Sequence, residues 1–135
     1  MDAPKQRAKI LIAEPDQFIQ RAVRETLESA GFEAIAARNG TEALLKIQSE
    51  HPDLVLLDLM MPVKNGFEVL EEISMGESAG EIPILIFSNL SQASDIQKAR
   101  DLGAADYLVK TDISMKEIVE KVREYLTKYK LKARR

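Results

Sequence analysis

Four short apolar runs in this sequence each stop at a polar side chain. Ile10-Leu11-Ile12-Ala13 stops at Glu14, Leu54-Val55-Leu56-Leu57 at Asp58, Ile84-Leu85-Ile86-Phe87 at Ser88, and Leu108-Val109 at Lys110. If these runs are parallel, neighbouring strands, two carboxylates, a hydroxyl and an ammonium meet at one edge of a sheet. The carboxyl-terminal edge is where open α/β sheets bind ligands. Carboxylates gathered without compensation repel. A hard divalent cation such as Mg²⁺ relieves that, and it commonly takes one or two carboxylates plus substrate phosphate oxygens. A carboxylate can also attack phosphorus to give an aspartyl-phosphate, whose oxygens a metal, an ammonium and a hydroxyl would neutralise. Singly, a strand-end Asp is more often a turn-former, Ser88 a helix cap and Lys110 a solvated residue. Four at matching strand ends are much harder to attribute to chance.

The elements that must position these groups follow from the pattern of apolar residues. Leu54 to Leu57 is an unbroken apolar run between Pro52-Asp53 and the turn Pro62 to Gly66, which reads as a strand covered on both faces. Lys9–Ala13, Phe32–Ala37, Ile84–Phe87 and Asp106–Val109 read as the other strands. Asp16 is placed to cap a first helix carrying Phe18, Ile19, Ala22, Val23, Leu27 and Ala30, and Gly31 suits its left-handed stop. A second helix begins at Thr41 with Ala43, Leu44 and Ile47 inward and ends before His51-Pro52. A third follows Gly66 with Phe67, Leu70 and Ile73 on one face. The fourth, from about Ser91 to Leu102, has a thin stripe of Ala93, Ile96 and Ala99 and is expected to be loosely held. The last, with Met115, Ile118, Val119, Val122, Tyr125, Leu126 and Tyr129, is strongly amphipathic and ends near Lys130. Five strands alternating with five helices predict a doubly wound α/β domain: a parallel sheet with helices on both faces. Residues 1–135 read as a single domain, with its core at about 8–129 and a basic tail at about 130–135.

The 135 residues, 45% hydrophobic and 30% charged, suit one globular domain. With no Cys and one His, thiolate and His-cluster metal sites are excluded, leaving oxygen-ligated ions. Met1 to Lys9 lacks the apolar core of a signal peptide, and no run approaches a membrane span, so a cytoplasmic protein is expected. The net charge of −3 hides a basic end, Lys121 to Arg135. With no aromatic-lined groove beside it, that end reads as a solvated helix rather than a nucleic-acid arm, and no direct DNA binding is expected.

Pro52-Asp53-Leu54-Val55-Leu56-Leu57-Asp58-Leu59-Met60-Met61-Pro62, with Gly66 following, resembles the core motif of response regulator receiver domains. Ile82-Pro83-Ile84 leading to Ser88, and Leu102-Gly103-Ala104 leading to Tyr107 and Lys110, extend that resemblance over nearly the whole chain. It implies a strand order of 2-1-3-4-5. It implies that Asp58 accepts a phosphoryl group from a histidine kinase or a phosphotransfer protein, that Lys110 pairs with that group, and that Ser88 donates a hydrogen bond to it. Mg²⁺ would be held by Asp58, by Glu14, by the backbone carbonyl of Met60, and with Asp16 as a further candidate. Tyr107 would change rotamer as Ser88 moves, passing the signal to helix 4, strand 5 and helix 5, the face for a downstream protein. Such a domain is not a conventional enzyme: self-phosphorylation from a donor and slow self-dephosphorylation are its only expected reactions. A monomer or weak homodimer is expected, either standing alone or cut from a longer protein.

Three positions depart from the family pattern. Where the family has two consecutive acids after the first strand, the second a direct metal ligand, this chain has Glu14-Pro15. Either Glu14 or Asp16 reaches the metal, or the Mg²⁺ site is crippled and the domain is a degenerate receiver, a protein-interaction module that works without phosphate. Thr111 replaces the proline that commonly follows the lysine, and a non-proline cis bond costs about 2.5–4 kcal/mol, which predicts a trans bond and a shifted loop. Asn89 stands where a small residue is preferred, either narrowing access to Asp58 or hydrogen-bonding the phosphoryl group. Met60 and Leu90 stand two residues beyond Asp58 and Ser88, positions that in the family tune attack by water on the phosphoryl group. Two apolar side chains there cannot orient a water, hence the expectation of slow dephosphorylation. A flavin site or an aspartyl-phosphate hydrolase fits less well, because Glu14-Pro15-Asp16 would repel a phosphate and Met60 fills the place of the hydrolase's second acid.

Overall fold

The computed structural model describes residues 7–76 and 79–133. Its elements are β1 (Lys9–Ala13), α1 (Gln17–Ser29), β2 (Glu33–Ala37), α2 (Gly40–Glu50), β3 (Leu54–Leu57), α3 (Gly66–Ser74), β4 (Ile84–Ser88), α4 (Ala93–Asp101), β5 (Asp106–Val109) and α5 (Met115–Ala133). The strands form one parallel sheet of order β2-β1-β3-β4-β5, as the resemblance implies. The register sets Ala13 beside Leu57, and Leu57 beside Ile86. Glu14 and Asp58, each the next residue in its chain, therefore leave the same sheet edge side by side.

Alternation along the strands divides the core in two. Ile10, Ile12, Leu54, Leu56, Leu85 and Phe87 face α1 and α5 through Val23, Leu27, Ile118 and Val122. Leu11, Ala13, Val55, Leu57, Ile84 and Ile86 face α2, α3 and α4 through Ala43, Val69, Leu70 and Ala99. Since both faces of each central strand are covered, its side chains are apolar without a polar alternate. Among the described residues, no helix is long and apolar enough to cross a membrane.

The helix ends follow their caps. The Asp16 carboxylate accepts from the N–H groups of Phe18 and Ile19, and Gly31 follows α1 at a φ of 96°. Asn39 caps α2, which therefore starts at Gly40 rather than at Thr41. Asn65 and Glu68 form a reciprocal capping box on α3, whose fully buried Val69 belongs to its inward face beside Leu70. The fourth helix is shorter than its sequence suggests. It runs from Ala93 to Asp101, its capping residue Gln92 makes no side-chain cap, and only Ala99 on it is buried. The final helix runs past Lys130 to Ala133; of the basic tail, residues 134–135 lie outside the described residues, as do residues 1–6 of the polar N-terminus.

Two tertiary locks bear on the site. The Asp106 carboxylate accepts from the Tyr125 hydroxyl at 2.9 Å and pairs with Lys121 at 3.3 Å, tying α5 to β5. Burial opposes ionisation of Asp106, but the Tyr107 N–H, Tyr125 and Lys121 outweigh it and hold the carboxyl below its ordinary range. Burial, then Asp106, pushes the Tyr125 phenol up to about 12. The second lock holds the β3–α3 loop. Gly40 N–H donates to the Lys64 carbonyl at 3.0 Å, and a Cβ on Gly40 would lie 2.8 Å from the Lys64 carbonyl carbon, so only glycine allows this approach.

Within that loop Lys64 N–H donates back to the Pro62 carbonyl at 2.7 Å around Val63, whose φ is 68°. This is a γ-turn of the rarer, strained hand, centred on a β-branched residue. Val63 is 81% exposed, so its side chain contributes no packing in return. Val63→Gly is expected to stabilise the fold by about 0.5–1 kcal/mol, the relief of strain less the added entropy of glycine in the unfolded chain. A urea unfolding midpoint that falls in this variant would contradict the strain.

Candidate functional site

β1, β3, β4 and β5 bring Glu14, Asp58, Ser88 and Lys110 to the carboxyl-terminal edge of the sheet, as their strand-end positions suggested. Asp58 is 4% exposed, Glu14 1% and Ser88 fully buried. The backbone fixes Asp58: its N–H donates to the Ala13 carbonyl at 3.0 Å. One carboxylate oxygen, Oδ1, accepts from the Met60 N–H at 3.1 Å. The other, Oδ2, accepts from Lys110 Nζ at 2.8 Å.

Lys110 reaches inward from a 3₁₀ turn, Lys110–Asp112, that closes β5. The Lys110–Thr111 bond is trans, as expected for a chain without the family proline. Its ammonium also lies 2.6 Å from Glu14 Oε2 and 5.3 Å from the centre of the Phe87 ring. The Glu14 contact is an ion pair without hydrogen-bond alignment, so Oε2 remains a buried acceptor with no aligned donor. The other oxygen, Oε1, accepts from the Asp16 N–H at 3.2 Å. Burial drives the Glu14 carboxyl above its ordinary range, and the Lys110 ammonium only partly offsets this. For Lys110 burial acts downward, but Asp58 and then Glu14 outweigh it and raise the ammonium. The cation therefore stays charged between two acids.

Ser88 and Tyr107 sit next to this group. The Ser88 hydroxyl accepts from the Leu90 N–H at 3.3 Å, while the Tyr107 hydroxyl donates to the Leu90 carbonyl at 2.6 Å. Both side chains thus hold the same residue of the β4–α4 loop. Burial raises the Tyr107 phenol, with the Ser88 hydroxyl pulling the other way. Met60 and Asn89 are exposed, whereas Met61 is buried in the core. Asp16 faces solvent, and its Oδ1 is taken up by the cap of α1.

Two contributors escape the sequence pattern. Gly66 N–H donates to the Leu59 carbonyl at 3.0 Å, and a Cβ on Gly66 would collide with the Asp58 carbonyl oxygen and lie 2.7 Å from Leu59 Cα. Glycine is therefore what lets α3 start against the backbone of Asp58. Phe87 places its ring near the Lys110 ammonium, a role that its membership of a buried strand conceals.

The model of the response regulator receiver domain matches residues 10–123, so the chain belongs to that family. The polar-differentiation response regulator DivK of Brucella ovis is 30% identical over 117 residues, 87% of this chain and 94% of that protein. A probable transcriptional regulator, ycf27, of Porphyridium aerugineum is 38% identical over 90% of this chain but only 49% of its own length. The chain thus spans about half of the ycf27 relatives. Among solved structures, a receiver domain protein from Methanospirillum hungatei superposes with a TM-score of 0.87 at 24% identity, covering 94% of this chain and 99% of that one. Vibrio cholerae CheY4 superposes with a TM-score of 0.81 at 30% identity, covering 87% and 98%.

Receiver domains typically bind Mg²⁺. Among the described residues no group of three or more Asp, Glu, His or Cys side chains is placed to hold a metal ion. Glu14, whose buried Oε2 lacks an aligned donor, and Asp58 are the two carboxylates at the rim. Two carboxylates are fewer oxygen donors than Mg²⁺ takes, and phosphate oxygens and water commonly complete such a set.

Proposed function

We propose that this receiver domain is a phosphoaccepting switch with Asp58 as the acceptor. A carboxylate oxygen of Asp58 attacks the phosphorus of a phosphohistidine on a histidine kinase or phosphotransfer protein. The P–N bond breaks, an aspartyl-phosphate forms, and the imidazole takes a proton as it leaves. The observation that carries this reading is the 2.8 Å contact of Lys110 Nζ with Asp58 Oδ2 at a nearly buried carboxylate. An ammonium already in place neutralises charge on the incoming phosphoryl oxygens without reorganising. Mg²⁺, when bound by Glu14, Asp58 and the Met60 carbonyl, would add further neutralisation of the same oxygens.

Ser88 and Tyr107 supply the readout. When the Ser88 hydroxyl turns to a phosphoryl oxygen, the Leu90 N–H loses its acceptor, and the loop that Tyr107 holds at the Leu90 carbonyl is free to rearrange. α4 is poorly anchored, with one buried residue and no side-chain cap, so a small bias at Ser88 moves it and the α4–β5–α5 face towards a downstream protein partner. The working place of such a domain is the cytoplasm, as a monomer or weak homodimer with no direct contact to DNA. Slow self-dephosphorylation belongs to this reading, since neither Met60 nor Leu90 orients a water; Met60→Asn should shorten the phosphoryl lifetime.

One observation favours the alternative, an interaction module independent of phosphate: Pro15 leaves the rim one acid short. Incubation with a small-molecule phosphodonor, with and without Mg²⁺, separates the two. Incorporation that disappears in Asp58→Asn supports the switch. No Asp58-dependent incorporation at millimolar Mg²⁺ would leave the interaction module.

A further inference from the structure

Resting on the reading of Asp58 as acceptor, we propose that Lys110 is the resident cation of the acidic rim and that Mg²⁺ has no stable site there until a phosphoryl group arrives. The geometry puts one ammonium against both carboxylates, 2.6 Å from Glu14 Oε2 and 2.8 Å from Asp58 Oδ2. All three side chains are withdrawn from water, Lys110 to 10% exposure and the acids further. The lysine is held by the fold, with its stem leaving the 3₁₀ turn after β5 and its ammonium near Phe87.

The charge at the rim follows from these groups. Two carboxylates and one ammonium leave a single net negative charge. A third acid at position 15 would have left two, the charge that a divalent cation balances. Asp16 does not supply it, because its Oδ1 is bonded to the N–H groups of Phe18 and Ile19 at 2.9 and 3.1 Å and its own N–H holds Glu14 Oε1. Mg²⁺ binding through Glu14 and Asp58 in the resting domain would therefore have to displace the ammonium from between two buried acids. Mg²⁺ also dehydrates reluctantly and demands near-octahedral oxygen geometry, which two carboxylates and a carbonyl do not fill. A phosphoryl group changes both conditions: it brings negative charge and oxygen ligands, and it gives Lys110 a new partner.

Two consequences go beyond the acceptor reading. Metal binding follows or accompanies the donor rather than preceding it. Glu14 acts as a positioning residue that keeps Lys110 at the rim, in addition to any contact with the metal. The test is a Mg²⁺ titration of the full chain without any phosphodonor, followed by the backbone amide shifts of Asp58, Met60 and Ala13. The expected result is no saturation for the wild-type chain across the millimolar range. Pro15→Asp, which adds the missing charge, and Lys110→Met, which removes the competing cation, should each tighten binding by at least about tenfold. Wild-type saturation within about twofold of Pro15→Asp would overturn the proposal. So would a folded Lys110→Met chain that binds Mg²⁺ no better than wild type. Because no donor is present, the outcome is independent of whether Asp58 accepts phosphate.

Discussion

Lys110→Met is expected to slow phosphorylation of Asp58 by about 10²–10³-fold, the usual effect of removing one preorganised charge from a water-poor site. The ammonium is the only cation in contact with the Asp58 carboxylate among the described residues. Methionine preserves the apolar stem and its length, so the loss isolates the charge. The same change should lower stability at neutral pH by about 1–3 kcal/mol, because it leaves two buried acids facing each other. The pH dependence gives this prediction a sign. With the ammonium gone, the burial that raises the Glu14 carboxyl loses its largest offset. Glu14 therefore takes up its proton more readily in the folded chain, and the variant's deficit shrinks as pH falls through the carboxylate range. In the wild-type chain the ammonium is raised from 10.5, so its contribution is present throughout that range and fades only as pH rises beyond the ordinary lysine value. Urea midpoints of the two proteins at acid and neutral pH measure the difference. Phosphorylation at the wild-type rate would remove Lys110 from the chemistry.

Gly66→Ala should be nearly as damaging, though it changes no polar group. A methyl at this position meets the Asp58 carbonyl oxygen, Leu59 Cα at 2.7 Å and Leu59 Cδ2 at 3.0 Å. The first two belong to the backbone that presents the acceptor, so relief of the clash must shift Asp58 itself. A net loss of about 1–3 kcal/mol is expected. Misplacing a nucleophile by about 1 Å can cost on the order of 10²-fold in rate, so phosphorylation should fall further than stability does. Gly76→Ala is the control: its Cβ would find nothing nearer than 3.4 Å, and its backbone is not left-handed. If the Gly66 variant unfolds and reacts like the Gly76 variant, the close approach of α3 to Asp58 has no consequence.

The candidate site was largely legible because its logic is one of strand ends. An apolar run that stops at one polar residue marks both the strand and the group at its rim, and parallel strands put all such groups on one edge. Glu14, Asp58, Ser88 and Lys110 are therefore marked by the sequence pattern alone. It could not show that one ammonium serves both acids, since that depends on side-chain reach across β1, β3 and β5. Gly66 was visible only as punctuation before a helix; its contact with the Asp58 backbone exists only once α3 is docked. Val63 carries no sequence sign of a left-handed backbone, valine being among the residues least suited to it. The link from Asp106 to Tyr125 joins residues 19 apart on two elements, and nothing local announces it. The fourth helix starts two residues beyond Ser91, at Ala93, after a Gln92 that makes no side-chain cap.

The acceptor role of Asp58 is tested most directly by chemical mapping of the phosphorylated residue. Treating the chain with a small-molecule phosphodonor in Mg²⁺ and then reducing it with borohydride converts an aspartyl-phosphate to homoserine. Peptide mass spectrometry should find homoserine at position 58 and at no other aspartate, and Asp58→Asn should yield none. Homoserine elsewhere, or its absence from position 58 while phosphate is incorporated, would contradict the assignment.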